Sequence, residues 1–378
     1  QEPNDFEKEF LPIRGNYNWP DDVPPFPQEV MDALESSLEA NRETLRSLDR
    51  AALIKRCHWP GKLNRIDYLG INFSNVHLQE FKKSLRLLSE RNLYLAQKNM
   101  LSELKRSMYT LIALSNSISE QPFELDYLVT SAMRSSVVRN FEKILNQVAF
   151  MERDLKRFQK QLRQMQDSDL LYRAMVNERC GLIVFFRLPF SEQKLFLEEL
   201  WPDIKYLRIL ATVSGYKQKD KLFLLNDYER YIDVIKLPFK QQYGVLQNID
   251  KTSNKGMFAL HIYRHSLTPY SPKICKINIR MMGELKCAET ALAVERYRLK
   301  YDVLPESLEQ LVPEFMEAVP RDPFDGETLR YIKHDVGYTV YAIGDDGVDN
   351  DGLSREQMKE KMGGGEPEEF DWPFTVRR

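Results

Sequence analysis

Apolar residues recur at helical spacing along most of the first 250 positions. Val30, Leu34, Leu38, Leu45 and Leu48 fall on one face, and Phe81, Leu85, Leu88 and Leu95 on a second. Leu101, Leu104, Met108, Leu111 and Leu114 make a third. Steps of three and four residues place such side chains on one stripe of a helix, which must then be buried. After a break at Pro122 the spacing predicts a helix from about Glu124 to Phe150, then a strongly charged one over 151–166. More helical pattern runs from Ser191 to about Lys240, interrupted near Trp201-Pro202, Gly215 and Pro238. Short connections make consecutive helices antiparallel neighbours. No fixed repeat period supports a regular solenoid. The first 27 residues, with NYNWPDDVPPFP, are proline-rich and aperiodic and read as an extended arm.

The pattern changes after SLTPYSP at Ser266 to Pro272. A helix is predicted from Lys273 to about Lys300, followed by a Pro-started helix in PESLEQLVPEF and turn signals in VPRDPFDG. Period-two alternation then predicts strands at Leu329 to Lys333 and Gly337 to Ile343. The second strand breaks into an acidic loop holding Asp345, Asp346, Asp349, Asn350 and Asp351. SREQMKEKMGGGEPEEF reads as a mobile excursion, least ordered at 359–367, because glycine and mixed charge cannot bury enough apolar area to offset ordering. DWPFTVRR restores alternation, with Trp372, Phe374 and Val376 on one side. Pro373 has no N–H to give a ladder, so this strand belongs at a sheet edge. It is expected beside the Gly337 strand, with Trp372 and Phe374 against the helix that starts at Lys273. The fold class expected is mainly α: an arm over 1–27, an antiparallel multi-helix domain over 28–270, and a small α+β module over 273–378 with a short antiparallel sheet.

Composition fits that picture. The chain has 378 residues, 43% apolar and 29% charged, which suits two globular domains and not a disordered segment. No apolar run approaches the ~18 residues of a membrane span, and the nearest is GLIVFF at Gly181 to Phe186. Because the chain opens on Gln1 and not Met, an upstream segment, a signal peptide or an anchor, is expected to have preceded it. The net charge of −2 conceals an asymmetry: residues 301–378 carry 8 Lys and Arg against 19 Asp and Glu, a net of −11, and the remainder carries +9. An acidic end favours cations, and +9 spread over some 300 residues is too dilute for a nucleic-acid surface. Of the four cysteines, Cys275 and Cys287 lie on one predicted helix, ~18 Å apart at about 1.5 Å rise per residue, and cannot bridge each other. Cys57 and Cys180 could pair only if the fold brings them together.

The strings RYRLKYDVLPESLEQL, VPRDPFDGETLRY and GYTVYAIGDDG, in that order, resemble the periplasmic part of the major pseudopilin of type II secretion systems. In that family a long helix ends in a Tyr-containing segment before a Pro-started helix, a D-P turn leads to a strand, and a further strand opens a calcium-binding loop. The resemblance implies that Tyr297 and Pro305 hold the helix junction, Asp322-Pro323-Phe324 the turn, and Tyr341 to Gly347 the strand and loop. A pseudopilin also begins with an apolar helix that packs in a filament core. Here the equivalent helix carries Lys273, Lys276, Arg280, Glu284, Lys286, Glu289 and Glu295 and follows a long helical region, so that role does not transfer. The whole chain is similar to a group of bacterial extracytoplasmic proteins of unassigned function that place a helical domain before a pseudopilin-like end. Their RC-W-P and ER segments correspond to RCHWP at Arg56 and to Glu178-Arg179. Members of that group often carry an N-terminal membrane segment.

Calcium takes six to eight hard oxygen ligands gathered by a flexible loop of carboxylates, amides and carbonyls. The DDGVDND loop has that chemistry but is not an EF-hand, since aligning Gly352 with that motif's glycine puts Gly347 where its first Asp belongs. A solvated acidic turn is the alternative. The resemblance implies Asp346 and the main-chain carbonyl of Ile343 as ligands, with Asp349 and Asp351 as further side-chain candidates and Ca2+ as the cofactor. His261 and His265 share a helix face at i, i+4 spacing but lack a neighbouring Glu and a third ligand. Ser191 and Lys194 match a bare S-x-x-K whose partner motifs are missing, so Ser191 reads as an N-cap. His58-Trp59-Pro60 reads as an aromatic turn packed on helices. No G-x-S-x-G, P-loop or dinucleotide fingerprint is present.

These readings point to a non-enzymatic extracytoplasmic protein, in the periplasm or cell envelope, tethered to the membrane only through a missing N-terminal segment. It would engage a protein partner and no nucleic acid, with a calcium-stabilised pseudopilin-like module. The rivals are a cell-envelope hydrolase with its site between the domains and a component of a secretion-like assembly.

Overall fold

The computed structural model describes residues 25–54, 74–117, 123–167, 169–189, 191–193, 216–253 and 271–378. The predicted arm before 25, RCHWP with Cys57 and His58, His261, His265, Lys194 and the joint over 266–270 lie outside them. Among the described residues the chain forms eleven α-helices and three strands. The fold is mainly α with one small antiparallel sheet near its C-terminal end, as the periodicity predicts.

The helices are α1 Gln28–Ala40, α2 Arg42–Ala51, α3 Ser74–Gln97, α4 Leu101–Ser117, α5 Glu124–Leu145, α6 Glu152–Gln164, α7 Asp169–Arg187, α8 Tyr216–Ile235, α9 Phe239–Ser253, α10 Ser271–Tyr301 and α11 Arg355–Lys361. Their apolar stripes face inward: Leu104, Met108 and Leu111 of α4, Val137, Phe141 and Ile144 of α5, and Leu155, Phe158 and Leu162 of α6 are all buried. Phe158 sits at the centre of an aromatic group, with ring centroids 4.9 Å from Tyr109, 5.2 Å from Phe141 and 5.4 Å from Phe150. One apolar core runs from Phe26 through the helices to Val376.

Helix α10 organises the molecule. From Ile274 to Val294 its apolar residues other than Ile277 are buried on every side, the pattern of a helix with neighbours nearly all round. It packs on α5 and α6 along one side and on β2 and β3 along another. Several of its polar residues are tied to the helical half. Tyr127 donates to Asn278 Oδ1 (2.6 Å), Ser135 donates to Glu284, and Arg163 Nε (2.8 Å) and Gln166 Nε2 (2.6 Å) reach Glu289. Arg296 is held by Glu152, by Gln159 Oε1 (2.7 Å) and by the Phe315 carbonyl (2.9 Å).

The sheet has the order β1-β2-β3, all antiparallel, from β1 Arg330–Lys333, β2 Tyr338–Ala342 and β3 Trp372–Val376. β2 is wholly buried between its neighbours and α10. β3 pairs beside β2 in the register Val340↔Phe374 and Ala342↔Trp372, so the tail does return to the predicted strand. Two local expectations differ. PESLEQLVPEF forms only a short 3-10 turn over Leu308–Leu311, with Pro313 following at once to deny the helix an N–H. The expected excursion contains α11, begun by a capping box in which the Ser354 side chain accepts the Gln357 amide and Gln357 returns to the Ser354 amide. None of its residues is buried.

Candidate metal site at the acidic loop

The loop after β2 is anchored at its start by the D-P turn. Asp322 Oδ1 accepts the Phe324 amide (2.9 Å), and Oδ2 accepts the Ile343 amide (2.9 Å) and Arg330 Nη1 (2.7 Å). A buried carboxylate with three such donors fixes where the turn meets the end of β2. Gly344 then passes so close to the tail that a Cβ there would lie 1.9 Å from the Phe370 carbonyl oxygen. At the far end of the loop Gly352 takes φ +72, where a Cβ would crowd the Tyr341 ring at 3.1 Å.

Within the loop the carboxylates first serve the backbone. Asp346 Oδ1 accepts the Val348 amide (2.9 Å), and its Oδ2 accepts the Phe370 amide (3.1 Å). Asp349 Oδ1 accepts the Tyr341 hydroxyl (3.0 Å) and the Asp351 amide (3.1 Å), and its Oδ2 pairs with Arg330 Nε at 3.3 Å. Arg330 also pairs with Asp322 and Asp325, so one guanidinium offsets three carboxylates on this side. Asp351 is exposed, at φ +56. Ile343 is buried at the end of β2, its amide on Asp322.

The residue that closes the loop is Asp371, which spacing within the loop could not show. Its Oδ2 accepts the amides of Asn350 (2.9 Å) and Gly352 (2.8 Å), and its own amide donates to the Leu353 carbonyl (2.8 Å). The side chain is buried, with 1% of the residue exposed, and Oδ1 has no hydrogen-bond donor. Burial, aided by the nearby charges of Asp349 and Asp346, raises its pKa to about 6 against the pull of the two amides. The folded β3 register places Asp371: Trp372 opposite Ala342 sets the preceding residue beside the start of the loop.

The donor chemistry of these residues suits calcium in part. Asp371 Oδ1 is a buried, unpaired hard oxygen, and Asp346 and Asp349 are near enough for their charges to act on it. Asp349 is the more committed of the two, since Arg330 and Tyr341 already hold both its oxygens. Among the described residues no three His, Cys, Asp or Glu side chains converge as a metal cluster, so a bound ion would draw most ligands from loop carbonyls, amide oxygen and water.

The other sequence candidates are structural where they are described. Glu178 accepts the Glu124 amide at the start of α5, and Asp126 accepts that of Phe123, so both carboxylates serve the unpaired N–H groups of that helix end. Arg179 reaches the Leu225 carbonyl (3.3 Å) and Glu229 (3.1 Å) on α8. The ER segment thus ties α7 to α5 and α8. Cys275 and Cys287 are free and buried, and Cys180 is free and exposed. No helix among the described residues is long and apolar enough to cross a membrane. No family model, curated protein or solved structure matches the chain.

Proposed function

We propose that this is a non-enzymatic, extracytoplasmic interaction protein: a helical region that engages a protein partner, joined to a pseudopilin-like end whose acidic loop is stabilised by calcium. Tethering would come through a membrane segment N-terminal to the present sequence. The observation that carries the reading is the buried, unpaired Oδ1 of Asp371 beside the charges of Asp346 and Asp349. A cation would give that oxygen a partner and relieve the repulsion. A loop with so few free carboxylate oxygens suits a dissociation constant on the order of 0.1 mM, the range of extracellular calcium modules. At about 1 mM free calcium, occupancy would add roughly 1.4 kcal/mol to the folded state, whereas at cytoplasmic levels it would add nothing. Calorimetric titration of the full chain with calcium, with magnesium as control, tests the site. Crosslinking in cell envelopes tests the partner, and absence of calcium binding at millimolar concentration would remove the metal from the reading.

The hydrolase reading has one observation in its favour, the two acids Glu178 and Asp126, whose pKa values burial raises. It stays second because both carboxylates are accounted for by the start of α5. Loss of a hydrolytic activity in Glu178→Gln, with the melting temperature kept, would reverse that order.

A further inference from the structure

We propose that Arg134, on α5, is the floor of a binding site for a small oxyanion of the phosphate, sulfate or carboxylate class. Two arginines are buried among the described residues, Arg134 with 3% and Arg296 with 6% exposed. Arg296 shows how this fold ordinarily meets such a demand: Glu152 supplies the charge, and Gln159 and the Phe315 carbonyl supply further acceptors. Arg134 has none of this. Its Nε and Nη1 are buried without any acceptor.

A guanidinium cannot shed its proton in a protein, so burial lowers its ionisation without neutralising it. Two groups act on it electrostatically, Tyr127 and Asp167. Burial pushes the Tyr127 phenol far above its ordinary value, and its hydroxyl donates to Asn278, so it brings no negative charge. Asp167 is already engaged, Oδ2 with Arg173 at 3.1 Å and Oδ1 with the Asp169 amide at 2.9 Å. Asp167 thus touches the exposed Arg173 and acts on Arg134 only at longer range, so no acceptor and no anion is in contact with the buried guanidinium. Water could accept the two N–H groups but not offset the charge, and an unpaired buried ion is costly. A small oxyanion does both, through charge-assisted hydrogen bonds. Asp167, which acts on Arg134, is itself exposed, after the end of α6. The site is separate from the acidic loop and does not rest on the calcium reading.

The test is thermal unfolding of the full chain in inorganic phosphate, sulfate or acetate at about 20 mM, against chloride at matched ionic strength. At least one oxyanion is expected to raise the melting temperature by about 2 °C over chloride. Arg134→Met is expected to abolish that shift while melting in chloride at or above the wild-type temperature, because it removes an unpaired buried charge. Should Arg134→Met not fold, Arg134→Lys keeps the charge but not the guanidinium, and is expected to reduce the shift several-fold. The proposal is overturned if wild type melts identically in all four salts, or if the shift persists undiminished in the Arg134 variants.

Discussion

Asp322 makes three hydrogen bonds from inside the module, to the amides of Phe324 and Ile343 and to Arg330. Truncation would strand the amides of Phe324 and Ile343 and leave Arg330 with two carboxylates in place of three, so Asp322→Ala is expected to cost about 3 kcal/mol, read as a lower denaturant midpoint. The acids at the start of α5 give a pH dependence of definite sign. Folding raises Asp126 to about 6 and Glu178 to about 8, in both cases chiefly by burial and for Glu178 next by the Glu124 charge. The folded state therefore holds more protons than the unfolded chain above the ordinary carboxylate range. Their contribution is complete below about pH 4 and is lost as pH rises through about 6 and then about 8. The melting temperature of Glu178→Gln should vary less than that of wild type between pH 6 and 8, and an unchanged profile would show that Glu178 is not responsible. Asp346 and Asp349 were legible as loop acids because they sit in one string. Asp371 was not, because only the folded register carries it back across the tail.

β3 is an edge strand whose open side is covered by side chains and not by another strand. The Thr375 amide donates to Glu142 Oε1 (2.7 Å), the Arg377 amide to Asn146 Oδ1 (2.7 Å), and Asn146 Nδ2 donates to the Thr375 carbonyl (2.9 Å). Alternation puts the backbone nitrogen of Pro373 on the same side, where the missing N–H costs nothing. Beyond the strand Arg378 reaches the Leu145 carbonyl and Glu295, which fastens the tail to α5 and α10. Asn146→Ala is expected to destabilise the protein by about 1 to 3 kcal/mol and to speed hydrogen exchange at Arg377. Unchanged exchange there would mean that α5 does not cover this edge. The strands and α10 were readable from period and length, since alternation and an apolar pattern longer than 20 residues each have one interpretation. α11 was not, because its Glu/Lys composition reads as solvated chain, although Ser354 and Gln357 stand at capping-box spacing. Ser354→Ala should weaken that helix by about 1 kcal/mol while leaving global unfolding nearly unmoved, as α11 buries nothing.

At the scale of the molecule α10 belongs to both halves. Its apolar residues continue the core of the helices into the sheet, and Glu289 and Arg296 find their partners on α6 and at its flanks. Composition alone marks a change near 266–272, but it carries no information on which side of α10 faces which half. Residues 273–378 expressed alone would leave Glu289 and Arg296 short of partners and one side of α10 bare, so the fragment is expected to lack a cooperative melt. A cooperative transition at the temperature of the full chain would contradict that. Calcium at the acidic loop is the central claim, and the most direct measurement is thermal unfolding of the full chain in about 1 mM calcium against chelator, for wild type and for Asp371→Asn. Wild type is expected to melt about 2 °C higher with calcium. Asp371→Asn, which keeps an acceptor for the Asn350 and Gly352 amides, should melt near wild type in chelator and show no calcium shift. A wild-type melt unmoved by calcium, or an equal shift in the variant, would contradict the account.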